Sequence, residues 1–156
     1  MIRALLCLVT LGCASLPTPE PEAKAPAVAV PQHIVRFLAM MHFRLYGHST
    51  YPDHEYVFCL KVRSTPDTAY IEGIDVTDVW SASDTTVSYA SCLERGYRGT
   101  AHNHLPTTQY GEACYHSMTD AAAQDASGVL VALVTCGKEQ MSIVARAHPR
   151  YRELIR

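Results

Sequence analysis

Apolar residues at Ile34, Phe37, Leu38, Met41 and Leu45 repeat at the spacing of one helix face. That pattern predicts a helix over 32–46, ended by Gly47. Pro52 and Asp53 mark a turn, and "EYVFCLKV" (55–62) reads as a strand. After the turn "TPDT", the stretch "AYIEGIDVTDVWSA" (69–82) predicts a second strand, continuing or bulging at Gly73. Asp84-Thr85 turns the chain into "TVSYASCL" (86–93), a third strand. Gly96 and Gly99 lead into "TAHNH" (100–104), and the alanine-rich "SMTDAAAQDA" (117–126) reads as a helix. "GVLVALVTC" (128–136) carries no charge and predicts a buried strand. Gly137-Lys138 turns into a final strand, "QMSIVARA" (140–147), and "HPRYRELIR" ends the chain as a short helix. Helix, strands, helix and two strands imply an α+β (or α/β) domain: one mixed sheet with helices packed against it.

The first 30 residues have no such periodicity. "MIRALLCLVTLGCAS" places Arg3 before a short apolar run, as in a secretory signal. The run is too short to span a bilayer as a helix. Leu11-Gly12-Cys13 resembles a bacterial lipobox, which implies lipidation at Cys13 and export. The resemblance extends to Ala14, since the lack of an aspartate there points to an outer-membrane anchor facing the periplasm. Residues 14–30, rich in Pro and Ala, read as an extended linker. The organisation expected is therefore a signal at 1–13, a linker at 14–30 and one domain at 31–156.

Composition narrows the classes. A 156-residue chain that is 48% hydrophobic builds one core. With a net charge of -2 and no basic run, nucleic acid is not an expected partner. Beyond Cys7 and Cys13, the four cysteines Cys59, Cys92, Cys114 and Cys136 suit two disulfides, with three connectivities open. None stands in CxxC spacing, which argues against a cysteine–zinc knuckle.

The chemistry gathers in residues 99–124. If "TAHNH" is a strand, His102 and His104 point to one face and present two imidazoles together. If a helix opens at Ser117, then Ser117 and Asp120 share a face. Ser117 also suits an N-cap, with an acid three residues on. Two nitrogens from a strand end and one oxygen from a helix start make three metal ligands, which leaves a fourth position for water as in catalytic zinc sites. His116 reads as a surface loop residue.

Glu55, His102-Asn103-His104, Pro106 and Ser117-Met118-Thr119-Asp120 together resemble the JAMM (MPN) metallopeptidases, whose pattern is a distant glutamate, then HxHP, then SxxD. A helix before the glutamate strand, and a helix and an apolar strand after the aspartate, extend the likeness over about residues 31–146. Two features depart from the pattern: Leu105 separates His104 from Pro106, and twelve residues separate His104 from Ser117, more than the family has. The resemblance implies a cytidine deaminase-like architecture and zinc held by His102, His104 and Asp120. It also implies Glu55 as general base and Ser117 as oxyanion donor. Glu72 and Glu112 are lesser candidates for the carboxylate. The substrate implied is a peptide or isopeptide amide in a cell-envelope peptide or protein. Cys114 falls in the longer spacer, and Cys92, just before the histidine strand, is the partner expected for it. Two other classes share these residues: a metal-free binding module on the same fold, and a metal-binding envelope lipoprotein with no use for Glu55 or Ser117.

Overall fold

A computed structural model describes residues 24–47 (side chains to 44), 55–82, 87–104, 114–137 and 141–156. The signal with Cys13, most of the linker, the turns at Pro52-Asp53 and Asp84-Thr85, Pro106 and Glu112 lie outside the described residues. In chain order the elements are β1 (Ala27–Ala29), α1 (Gln32–Gly47), β2 (Val57–Ser64), β3 (Thr68–Val76), β4 (Val79–Ala82) and β5 (Val87–Tyr89). They continue with β6 (Gly99–Asn103), α2 (Met118–Ser127), β7 (Val131–Cys136), β8 (Ser142–Ala147) and α3 (Tyr151–Leu154). Six strands form one sheet in the order β1-β3-β2-β6-β7-β8. It is mixed: β1 runs parallel to β3 and β6 to β7, and the other pairs are antiparallel. The β6-α2-β7 unit is the crossover that a parallel pair requires.

Strand alternation sorts the two faces of the sheet. Phe58, Leu60, Ile71, Ala101, Val131 and Leu133 face one side and form the core with Ile34 and Leu38 of α1 and Tyr151 of α3. The helix stripe is the predicted one, with Ile34, Leu38 and His42 buried at successive i, i+4 positions. Val57, Thr100, His102 and Ala132 face the other side, across from α2. Gly99 opens β6 where the backbone is crowded, since a Cβ there would lie 2.9 Å from the Val131 carbonyl and 3.2 Å from Leu60 Cβ. Gly128 ends α2 with φ of 71°, a left-handed cap whose N–H bonds back to the Gln124 carbonyl.

Four features differ from the sequence expectation. The mixed sheet is accompanied by a second, two-stranded sheet of β4 and β5. The strand expected over 69–82 divides there because Thr77 turns inward, 4% exposed, and its hydroxyl donates to the Ala90 carbonyl at 3.0 Å. The linker expected to reach residue 30 stops sooner, since Ala27–Ala29 pair with Thr68–Tyr70 and Val28 and Val30 pack against the core. Finally, β2 starts at Val57, so Glu55 sits just ahead of the strand. The irregularity at Gly73 is present: the β2–β3 register shifts between Lys61 and Val62, opposite Gly73 and Ile71. Among the described residues, no helix is long and apolar enough to cross a membrane.

Candidate metal centre

The β2–β6 register sets which side chains meet at the site. Val57 of β2 lies opposite His102. Continued by two residues, that antiparallel register sets Glu55 opposite His104, and alternation puts Glu55, Val57 and His102 on the α2 side of the sheet. The intervening pair, Tyr56 and Asn103, turns to the core side. The Tyr56 N–H donates to Asn103 Oδ1 at 2.6 Å, and the Tyr56 hydroxyl meets Thr135 Oγ1 at 2.9 Å. Asn103 is 1% exposed, a polar group whose burial is compensated by this bond. The sequence signal for it is a polar residue at a core-facing position between the two histidines. At the end of β6 the His104 N–H donates to the Thr135 carbonyl at 2.8 Å, which extends the β7 pairing through the second histidine.

Asp120 arrives from the start of α2. Ser117 is the N-cap: its hydroxyl accepts from the Asp120 N–H at 3.1 Å, and the Ser117 N–H donates to Asp120 Oδ2 at 2.7 Å. This capping box fixes the carboxylate as well as the helix start. A hydroxyl that accepts one bond keeps its own O–H to donate.

His102, His104 and Asp120 converge. The two Nε2 atoms are 3.2 Å apart, His102 Nε2 is 3.1 Å from Asp120 Oδ1, and His104 Nε2 is 3.2 Å from Asp120 Oδ2. Their side chains are 12%, 11% and 17% exposed, so the cluster is shielded but reachable. The three residues form a group that could hold a metal ion. The fit is close, because bonds of about 2.0–2.1 Å around a tetrahedral ion separate its ligands by about 3.3 Å. Two Nε2–H groups donating to the two carboxylate oxygens satisfy this cluster without a metal, and three lone pairs directed at one cation satisfy it equally. Burial works to raise the Asp120 carboxyl, but contacts from His102 and His104 and the Ser117 cap outweigh it and hold it well below the usual carboxylate range.

Glu55 lines one cavity with His102 and Asp120. Of the lesser carboxylates, Glu72 makes an exposed ion pair with Arg63 at 2.7 Å, and Glu112 is outside the described residues. His116 is half-buried rather than on the surface, with its Nε2 3.3 Å from the Val144 carbonyl. Burial first, and then the nearby His102, lower its pKa.

The pairing expected between Cys92 and Cys114 does not form. The bridges are Cys59–Cys92 and Cys114–Cys136. The reason is the strand order: β6 stands between β2, which carries Cys59, and β7, which ends at Cys136. Cys92 follows β5 and packs over Cys59 with a Cα separation of 5.3 Å, while Cys114 lies 5.4 Å from Cys136. A disulfide reaches only about 4.4–6.8 Å between Cα atoms, so each cysteine takes the partner on its own side of β6. Two disulfides fit an oxidising compartment.

No protein-family model matches this chain, and no curated protein matches it in sequence.

Proposed function

We propose that the protein is a zinc-dependent metallopeptidase of the JAMM kind, hydrolysing a peptide or isopeptide amide in the cell envelope, where an N-terminal lipid on Cys13 anchors it to the outer membrane. One observation carries this reading: His102, His104 and Asp120 converge at a cavity whose wall also bears Glu55. A histidine–histidine–carboxylate set suits zinc, and three protein ligands leave a position open, as catalytic sites do. Zinc held there would supply a Lewis acid and lower the pKa of water towards neutrality.

The chain's own residues do the rest. Glu55 takes a proton from the attacking water as the water oxygen bonds to the amide carbon. When the C–N bond breaks, Glu55 returns that proton to the leaving nitrogen, so the products are a free acid and an amine. The Ser117 hydroxyl donates to the developing oxyanion, and the α2 cap keeps it in place. Asp120, held ionised, adds negative charge that keeps both imidazoles oriented.

Metal analysis of the folded protein tests the first step. About one zinc per chain is expected, lost in His104→Ala. Glu55→Gln then isolates the chemistry: it keeps the zinc and loses hydrolysis of peptide substrates. A protein that purifies and reconstitutes without zinc overturns the proposal. Zinc bound with no hydrolysis by the unaltered protein leaves a metal-binding protein only, and hydrolysis indifferent to Glu55→Gln removes Glu55 as the base.

A further inference from the structure

We infer that the cavity beside the metal ligands is a subsite for an uncharged, apolar substrate side chain next to the cleaved amide, and that Ala123 and Tyr89 set its size. The inference rests on the peptidase reading and names the substrate class for it.

The cavity lies between α2 and the sheet. On α2, Asp120, Ala123, Gln124 and Ser127 recur at helical spacing and line it together, so the helix face that carries a metal ligand also forms one wall. Opposite stand Val57, Thr100 and Ala132 of the sheet, and Val87 and Tyr89 of β5 close the side. Its volume is about 150 Å³. That matches the size of an apolar protein cavity that takes up benzene, about 150 Å³. A valine, leucine, isoleucine or single aromatic ring fits, and an indole does not.

The chemistry of the walls decides the charge. Glu55 and Asp120 stand at the metal end, and among the described residues no lysine or arginine lines the cavity. Besides the zinc itself, an acidic side chain would meet two carboxylates at that end and no cationic side chain among the described residues. A basic one would bury its stem among Val57, Val87, Ala123 and Ala132 and could pair only with Glu55 or Asp120, which would take Glu55 from proton transfer or Asp120 from the metal. Gln124 offers nothing to a polar guest, because its amide N–H groups go to the Val129 and Arg146 carbonyls and its oxygen accepts from the Arg146 guanidinium. Small residues at Ala123 and Ala132 leave the space open. Tyr89 lines the cavity with its phenol, which is uncharged at neutral pH. Its ring therefore presents a neutral wall.

The test uses the zinc-loaded full chain and peptides in which the residue on either side of the cleaved bond is Gly, Ala, Leu, Trp, Asp or Lys. At one of the two positions, kcat/KM for Leu should exceed that for Ala roughly tenfold or more, and Trp, Asp and Lys should fall below Ala. Ala123→Leu fills the cavity from a helix position that tolerates leucine. It should cut the Leu-over-Ala preference to below about threefold while zinc content stays the same. Tyr89→Ala should admit Trp. Preference for a charged residue, or a Leu-over-Ala ratio unaltered in Ala123→Leu, overturns the subsite. If no peptide is cleaved, the peptidase reading fails, and binding decides the subsite separately. Titration of N-acetyl-leucinamide should then perturb the His102 and Ala132 NMR signals in the native protein but not in Ala123→Leu. Equal perturbation in both, or none in either, overturns it.

Discussion

The two disulfides offer a controlled comparison, because removing either costs nearly the same stability but only one borders the proposed metal ligands His102, His104 and Asp120. Cys114–Cys136 spans 22 residues and Cys59–Cys92 spans 33. The chain-entropy relation gives about 3.4 kcal/mol for the first and about 3.7 kcal/mol for the second at 25 °C. Their places differ. Cys114 lies three residues before the Ser117 cap that orients Asp120, and Cys136 directly follows Thr135, whose carbonyl holds the His104 N–H. Cutting that bridge frees the chain before α2 from the end of β7, and metal binding must then restore the lost order. Each backbone residue fixed costs about 1–2 kcal/mol. If one residue's worth of ordering shifts to the binding step, affinity falls about five- to thirtyfold. The Cys114→Ala/Cys136→Ala and Cys59→Ala/Cys92→Ala pairs should therefore unfold at similar urea concentrations in chelator. In competition with a chromophoric chelator, only the first should bind zinc more weakly. Equal loss of zinc affinity in the two pairs, or none in the first, would refute the idea that this bridge positions the centre.

Three further outcomes are expected. Asn103→Ala removes the acceptor of the Tyr56 N–H and should cost about 1–3 kcal/mol of stability while lowering kcat with one zinc retained; loss of zinc in step with kcat would show that the bond serves the ligands instead of Glu55. Ser117→Gly keeps helix capping within a few tenths of a kcal/mol, so a fall in kcat of about 10²–10³ with unchanged unfolding isolates the oxyanion role, and an unchanged kcat leaves Ser117 as a cap alone. Burial lowers the His42 pKa, with its bond to the Gly137 carbonyl opposing. The unfolded chain takes up that proton near about pH 6.5 and the native state does not. Stability of the metal-free protein should thus be full above about pH 7 and decline as pH falls below it. His42→Gln should reduce the slope of Tm against pH without abolishing it, since His116 is shifted the same way; an unchanged slope would assign the effect elsewhere.

What the chain discloses in advance follows from how local each cause is. His102 and His104 share a face because β6 alternates, and Ser117 and Asp120 meet because a helix starts there; both are properties of a few consecutive residues. The α1 stripe is legible for the same reason. The elements that escape are decided across the fold. "AVA" at 27–29 is too short and too plain to announce a strand, and becomes one only because the β3 edge is there to pair with it. The break at Thr77 has no Gly or Pro and depends on a hydroxyl finding the Ala90 carbonyl 13 residues away. Nearness in sequence makes Cys92 and Cys114 look like partners, while the placement of β6 between β2 and β7 separates them. Glu55 is the intermediate case. Its pairing with His104 is non-local, yet it needs only the β2–β6 register and the period of two. A one-residue slip would turn Glu55 towards α1 and bring Tyr56 to the metal ligands. The Tyr56–Asn103 bond sits at that register position, so the same buried asparagine that carries no chemistry selects which side chain faces the centre.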